Sequence, residues 1–342
     1  MKTKLPPNLI LLMAILTTIM ACQATEDVYL FMSEGLHPPL ISSIKMTSPQ
    51  RIEVHSDSPL LSAGLQLEPH IAITDSGTEG KLAWFELTEP VAIGERYAAM
   101  TVLSNDRGHS AQSLNWIYGF NPNPAGLFLN EIIVAGSGNN PDCLEILVTE
   151  SGNAGGAAWF LGTAAVHEAA YFFPAIEVNA GDYILLHVQA EGLPEEVDEL
   201  DGDLAASGGK LSHTAARDLW LSEPVGLPGT NAVLSLYEQA DGPISDCIIY
   251  SNRTNDSDTT YRGFGTSRML AWIEAVESEN VWETAGSLLR PEDCVNPDGS
   301  TGTRSINRAW PYQDTDSKND WHIVPTLGAS FGEDNSNEVY AP

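Results

Sequence analysis

The chain has 342 residues, of which 46 are acidic and 16 basic, so its formal net charge is −30 at pH 7. Such a surface repels phosphate backbones, and the basic residues form no cluster, so nucleic acid is not expected as a partner. The length is sufficient for two domains with cores of ordinary size, and the sequence favours strands over helices.

The first residues are typical of an exported protein. Two lysines precede an apolar run, residues 9–20, that is too short to span a membrane comfortably. The run ends in Ile19-Met20-Ala21-Cys22, which resembles the lipobox of bacterial lipoproteins. We therefore predict a signal peptide over residues 1–21, lipidation of Cys22, and a tether over residues 22–27. The predicted location is the cell envelope, with the lipid anchoring the chain to the outer membrane or cell surface.

Short apolar runs separated by turn residues follow, beginning with residues 28–32. In residues 51–55 the alternation is strict, which predicts that Ile52 and Val54 face a core. The stretch from Ile93-Gly94-Glu95-Arg96-Tyr97 to Asp106-Arg107-Gly108-His109 resembles the end of bacterial Ig-like domains. This resemblance implies a β-sandwich over residues 28–120.

Residues 121–126, Asn-Pro-Asn-Pro-Ala-Gly, are predicted to be a linker because proline removes ladder donors and glycine breaks strand periodicity. A series of segments beyond it resembles, in order, the strands of bacterial lamin-tail domains. They are residues 129–132, 142–146, 172–174, 178–186, 234–237, 241–250, 305–308, 314–316, 320–321 and 325–328. The resemblance implies a second sandwich over residues 127–335, followed by a C-terminal tail over residues 336–342.

Residues 251–303 form an insert at a point where most members of that family have a short loop. Within it, Thr266-Ser267 precede Met269, Leu270, Ile273 and Val276, a spacing that predicts a capped amphipathic helix. The predicted fold class is therefore all-β, with two Ig-like β-sandwich domains in tandem, the second carrying a partly helical insert. Deletion of the insert is expected to abolish partner capture and to leave the sandwich folded.

Three cysteines remain besides Cys22, so at least one is unpaired or pairs elsewhere. Cys247 and Cys294 bracket the insert and are predicted to form a disulfide, which would close a long loop.

The richest acidic cluster contains Asp198, Asp201 and Asp203, which are candidate calcium ligands because calcium prefers several carboxylate oxygens. The alternative is a solvated loop in a very acidic protein. No other cofactor is expected. Trp310 and Tyr312 lie in a loop and are candidates for an exposed binding surface.

The combination of lipobox, Ig-like region and expanded lamin-tail region is similar to surface lipoproteins of spirochaetes. It predicts a non-enzymatic binding or structural module, attached to the membrane through its lipid and recognising an unknown protein or glycan. The loops around residues 136–142 and 190–213 and the 251–303 insert are the expected recognition surfaces. The alternative is an extracellular metal-dependent hydrolase of nuclease or phosphatase type, or its accessory subunit, because lamin-tail domains also occur attached to such enzymes.

Overall fold

The computed structural model describes residues 37–312 and 314–342. The predicted signal peptide, Cys22, the tether and the apolar run at residues 28–32 lie outside the described residues. The described chain divides into two compact units. Residues 37–91 and 96–117 belong to the first unit, and residues 92–95 and 118–342 to the second unit.

The first unit consists of two antiparallel sheets. One sheet has the strand order β1-β2-β5-β4, and the other has the order β3-β6-β7. Ile52 and Val54 are fully buried, which confirms the alternation expected for residues 51–55. The strands are β1 (Ile41–Ser48), β2 (Arg51–Ser56), β3 (Ser62–Glu68), β4 (Ile73–Glu79), β5 (Leu82–Leu87), β6 (Arg96–Ser104) and β7 (Ser110–Tyr118).

The second unit contains a six-stranded sheet, a four-stranded sheet and a two-stranded sheet. Their orders are β15-β14-β9-β8-β18-β19, β12-β11-β16-β17 and β10-β13. The strands are β8 (Gly126–Ile133), β9 (Cys143–Glu150), β10 (Gly152–Asn153), β11 (Ala158–Gly162), β12 (His167–Phe172), β13 (Glu177–Val178), β14 (Tyr183–His187), β15 (Arg217–Trp220), β16 (Asn231–Tyr237), β17 (Asp246–Ser251), β18 (Ile306–Arg308) and β19 (Trp321–Ile323). Among them, β14 and β15 pair in parallel.

These sheets confirm the predicted all-β sandwich fold class. The predicted helix is also present, as α1 (Ser267–Glu279). Its N-cap is Thr266, whose side chain accepts a hydrogen bond from the Met269 N–H, and its buried face carries Met269, Trp272, Ile273 and Val276. Leu270, expected on that face, is only partly buried.

The insert belongs to the core of the second unit. Side chains of α1 and of Phe264, Trp282 and Leu289 join the same hydrophobic cluster as the two large sheets. The indole of Trp272 packs over Gly162 of β11, where any Cβ would overlap the ring. This packing argues against the expectation that the insert could be deleted from a folded sandwich, because deletion would open this core to water.

The predicted Cys247–Cys294 disulfide is not formed in the structure. Both thiols are free and buried. The Cys247 Sγ lies 3.5 Å from the carbonyl oxygen of Val281, and the Cys294 Sγ lies 3.4 Å from that of Arg290. Each thiol thus contacts a different backbone carbonyl in place of the other sulfur.

Residues 121–126 pack against the loop around residues 153–155 of the second unit. The buried Asn121 side chain donates hydrogen bonds to the carbonyl oxygens of Asn153 and Gly155, both at 2.8 Å. The segment therefore has defined contacts, although its composition predicts a linker. Within the described part of the chain, no helix is both long enough and apolar enough to cross a membrane.

Candidate functional site

A groove of about 1010 Å³ opens in the second unit, beside two sheet edges. One wall begins at the end of β17, where Ser251 N–H donates to the Val295 carbonyl oxygen at 2.8 Å and Val295 N–H donates to the Ile249 carbonyl oxygen at 2.9 Å, so that Val295 lies beside the strand edge. The opposite wall is β19, the last strand of the six-stranded sheet. The C-terminal residues close one side, because Tyr340 N–H donates to the Ile323 carbonyl oxygen at 2.7 Å.

The groove lining has a polar and an apolar part, and the polar part consists mainly of amide and charged side chains. Asn252 Nδ2 donates to Asp298 Oδ1 at 2.9 Å, and Lys318 Nζ donates to the Glu292 carbonyl oxygen. The other polar side chains of the lining are those of Ser251, Arg253, Thr254, Glu292, Asn296, Asn319, His322 and Tyr340. The apolar part of the lining comes from buried Cys294, Val295 and Trp321, from exposed Val339, and from Pro291, Ile323 and Pro342.

The charge of the groove differs from that of the unit around it. The second unit contains 35 acidic and 9 basic residues. In the groove, two cations, Arg253 and Lys318, are matched by two carboxylates, Glu292 and Asp298. The groove is therefore close to neutral within an acidic surface, so an anionic ligand meets less repulsion here than elsewhere on the unit.

A second cluster lies inside the six-stranded sheet, where three neighbouring strands bring together Cys143, His187 and Asp218. His187 Nε2 lies 2.7 Å from Asp218 Oδ1, and His187 Nδ1 lies 3.7 Å from the Cys143 Sγ. The imidazole also stacks on Trp220, with ring centroids 3.8 Å apart. This order of thiol, imidazole and carboxylate matches that of a nucleophile, its base and an orienting acid.

The burial of this cluster argues against catalysis by it, because a substrate cannot reach it. All three side chains are buried, and Cys143 lines neither the groove nor the smaller cavity of about 410 Å³ near Leu211 and Phe331. Burial, with the charges of Asp218 and Glu145, raises the pKa of the Cys143 thiol well above its usual value. A buried protonated thiol is a poor nucleophile, so the cluster fits a hydrogen-bonded part of the core.

The sequence alone does not predict this cluster. Asp218 lies on β15, which pairs in parallel with β14, and Cys143 faces His187 across the β9–β14 ladder. Neither pairing has a local sequence pattern that reveals it. The three strands are buried almost throughout, so their burial does not show which side chains meet, and only the sheet order makes these residues neighbours.

Two glutamates are buried opposite each other on β8 and β9, under the C-terminal segment. Glu131 Oε2 accepts hydrogen bonds from the N–H and the hydroxyl of Ser330, both at 2.9 Å, and Glu145 accepts one from the Gly332 N–H. Burial raises the pKa of Glu131. Burial and the charge of Glu131 raise the pKa of Glu145 well above its usual value.

These shifts predict that the second unit is more stable at mildly acidic pH. A carboxyl whose pKa is higher in the folded state contributes stability below its unfolded pKa, and this contribution is lost as pH rises through the folded pKa. Glu131→Gln should therefore flatten the fall in the free energy of unfolding from pH 5 to pH 8, measured by urea unfolding. The exposed Glu333→Gln serves as the control and should retain the native slope. An unchanged slope in Glu131→Gln would contradict the role assigned to this carboxyl.

The structure does not bring the predicted calcium ligands together. Asp198 Oδ1 accepts a hydrogen bond from the Trp220 N–H at 2.7 Å, Asp201 Oδ1 from the Asp203 N–H, and Asp203 Oδ1 from the Ala205 N–H. Each carboxylate fixes a different piece of backbone. Over residues 37–312 and 314–342, no group of three or more His, Cys, Asp or Glu side chains is placed to hold a metal ion.

Trp310 and Tyr312 contact each other but do not line the groove. Trp310 is 42% exposed, and its ring meets that of Tyr312 edge-on at 4.6 Å. The Tyr312 hydroxyl lies 3.0 Å from the Tyr183 hydroxyl and donates to Asp334. Tyr312 is therefore held in the second unit, and Trp310 is the one of the two that presents a large aromatic surface to solvent.

The fold and groove describe an all-β protein with a cleft beside two sheet edges. Residues 125–323 match the family model TP_1001_2nd, described as "protein second domain". The match covers more than half of the chain, so the chain belongs to this family.

A protein of the spirochaete Treponema pallidum (strain Nichols), described as uncharacterised, is 30% identical over 135 residues, which are 39% of this chain and 34% of that protein. The match therefore spans about a third of the relative's length. Among solved structures, the N-terminal part of the bacterial S-layer protein SbsC aligns at 14% identity with a TM-score of 0.26, covering 48% of this chain and 43% of that chain. L,D-transpeptidase 3 from Mycobacterium tuberculosis aligns at 7% identity with a TM-score of 0.17, covering 61% and 97%. TM-scores of this size do not establish a shared fold.

Proposed function

We propose that this chain is a lipid-anchored protein of the bacterial cell envelope whose second unit, a lamin-tail domain, binds a glycan in the groove. The observation that supports this function is the groove itself, an open cleft large enough for several sugar units and close to neutral in a very acidic unit. Its walls come from the insert and from the last strand of the six-stranded sheet.

The polar part of the lining supplies groups that a glycan can bind. Asn252, Asn296 and Asn319 each offer an amide donor and acceptor, and Asp298 and Lys318 add charged partners. Hydroxyl groups of a sugar can use both donors and acceptors of this kind.

The groove is tested by changing one of its charges. Lys318→Glu should weaken binding to the recognised member of a panel of bacterial envelope and host-matrix glycans by about tenfold, equivalent to about 1.4 kcal/mol. Lys81→Glu makes the same charge change at an exposed residue of the first unit and should bind as the native chain does. Equal binding by the two variants, or no binding to any glycan by the native chain, would contradict the proposal.

The anchor has a separate test. Cys22→Ser removes the sulfur to which a lipid would be attached, and two or more acyl chains are needed for stable membrane attachment. We expect the native chain to sediment with membranes and the variant to move to the soluble fraction. Membrane partitioning that is unchanged in Cys22→Ser would refute lipidation.

The proposal also holds that the chain is not an enzyme. Assays for hydrolysis of phosphodiesters, esters and glycosides, with and without divalent metals, distinguish this proposal from the hydrolase alternative. Turnover that copurifies with the chain and is lost on its unfolding would favour the alternative.

A further inference from the structure

Strand β7 is an unprotected sheet edge. It has nine residues, Ser-Ala-Gln-Ser-Leu-Asn-Trp-Ile-Tyr, and among residues 37–312 and 314–342 its only neighbouring strand is β6. It contains no proline and no charged residue. Sheet edges are normally blunted by charge, proline, bulges or short length, because their free N–H and carbonyl groups pair with other strands.

The other edge strands do carry such protection. In the part of the chain that the structure describes, every other edge strand of four or more residues contains a charged residue. Those strands are β1 with Lys45, β3 with Glu68, β4 with Asp75 and Glu79, β12 with Glu168, β15 with Arg217 and Asp218, and β17 with Asp246. The absence of charge is therefore a property of β7 and not of the whole protein.

The face beside this edge is apolar and exposed. Leu114 and Trp116 of β7 are 71% and 51% exposed, and Val102 of β6 is 43% exposed. Arg96, whose guanidinium carbon lies 4.0 Å from the Trp116 ring centroid, is the only charged residue of the two strands. A contiguous exposed apolar face of this kind marks an interaction surface.

We infer that β7 pairs with β7 of a second copy of this chain, so that the two three-stranded sheets become one continuous sheet across a two-fold axis. Charge favours this occupant. The described residues of the first unit include only 8 acidic and 5 basic residues, against 35 and 9 in the second unit. Two copies of a strongly acidic chain approach with least repulsion through an uncharged strand of its nearly neutral unit.

The strand is also suited to pairing with itself. Antiparallel pairing about a two-fold axis at Leu114, the midpoint of β7, sets Leu114 opposite the same residue of the copy and Gln112 opposite Trp116. Leu114 then gains a directly opposed apolar partner, the arrangement that stabilises paired strands. A two-fold interface uses the same surface on both copies, and this strand offers no like charges that would oppose it.

Sedimentation equilibrium of the chain from residue 22, carrying Cys22→Ser to avoid detergent, tests the inference. This chain, with β7 otherwise unchanged, should show a monomer–dimer equilibrium. Leu114→Glu places two like charges opposite each other and should raise the dimer dissociation constant by at least about tenfold. The control is Leu61→Glu, the same change at a residue that is 65% exposed and lies beside β3, the other edge strand of the sheet. This variant should dimerise as strongly as the chain without it.

A cysteine pair provides a second readout that depends on register. On mild oxidation, Leu114→Cys should form a covalent dimer, whereas Gln112→Cys should not, because residue 112 faces residue 116 of the copy. Circular dichroism verifies that each variant is folded. A native chain that stays monomeric up to about 100 μM, far above the range of specific dimers, would overturn the inference. Equal effects of Leu114→Glu and Leu61→Glu, or equal crosslinking at both cysteine positions, would also overturn it.

Discussion

Replacing Arg308 by methionine is expected to lower the free energy of unfolding of the second unit by about 3 to 5 kcal/mol. The Arg308 side chain is buried and donates two hydrogen bonds to Asp246, at 2.7 and 2.8 Å. It also bonds the Leu129 carbonyl oxygen and Asp314, both at 2.9 Å. Its loss leaves the Asp246 carboxylate buried without a counter-charge, which is the costly way to break such a pair.

Asp246 makes this loss depend on pH. Burial raises the pKa of Asp246 to about 6, although the charge of Arg308 lowers it. Without Arg308 the pKa should rise further, so the carboxyl takes up a proton more readily in the folded variant. The destabilisation should therefore be larger at pH 8 than at pH 5.

Urea unfolding at both pH values measures the effect. Arg268→Met removes an exposed pair with Glu168 and should cost no more than about 1 kcal/mol. The double variant Arg308→Met, Asp246→Leu should recover much of the loss, because it removes the unpaired carboxylate. A loss for Arg308→Met as small as that for Arg268→Met would mean that Asp246 is well solvated, contrary to the structure.

Trp272→Ala is expected to cost about 3 to 5 kcal/mol, the range for removal of a large aromatic side chain from a core. Trp272 lies on α1 within the insert, and its indole is buried against Gly162 of β11. Truncation therefore leaves a cavity between the helix and the four-stranded sheet.

The matched control is Trp310→Ala, which removes an exposed tryptophan from the same unit and should cost less than about 1 kcal/mol. Thermal and urea unfolding of both variants give the comparison. Similar small losses in the two variants would show that α1 rests loosely on the sandwich. The insert would then be a removable module, as the sequence alone suggested.

Patterns that are local in the sequence predicted local structure correctly. Alternation in residues 51–55 identified the buried side of β2, and Thr266 with the apolar spacing behind it identified α1. Both patterns join residues that are close in the sequence, a few positions apart in the strand and one or two turns apart in the helix. That is the distance over which hydrophobic periodicity is informative.

Features that depend on which strands pair could not be predicted from local sequence patterns. The cluster of Cys143, His187 and Asp218 requires the order β9-β14-β15, and the groove requires β17, residues 294–299, β19 and the C-terminus to converge. The insert looked peripheral because its length is unusual for the resembling family. Its apolar residues nevertheless fill the core, since a helix of this kind must bury its apolar face against something.

Hydrogen–deuterium exchange on the chain, with and without the glycan found in the binding panel, tests most directly whether the groove is the binding site. Binding should slow exchange at residues 251–254, 294–299 and 318–323, and Lys318→Glu should remove this protection at the same glycan concentration. Protection confined to other parts of the chain, or protection that persists in Lys318→Glu, would contradict the assignment of function to the groove.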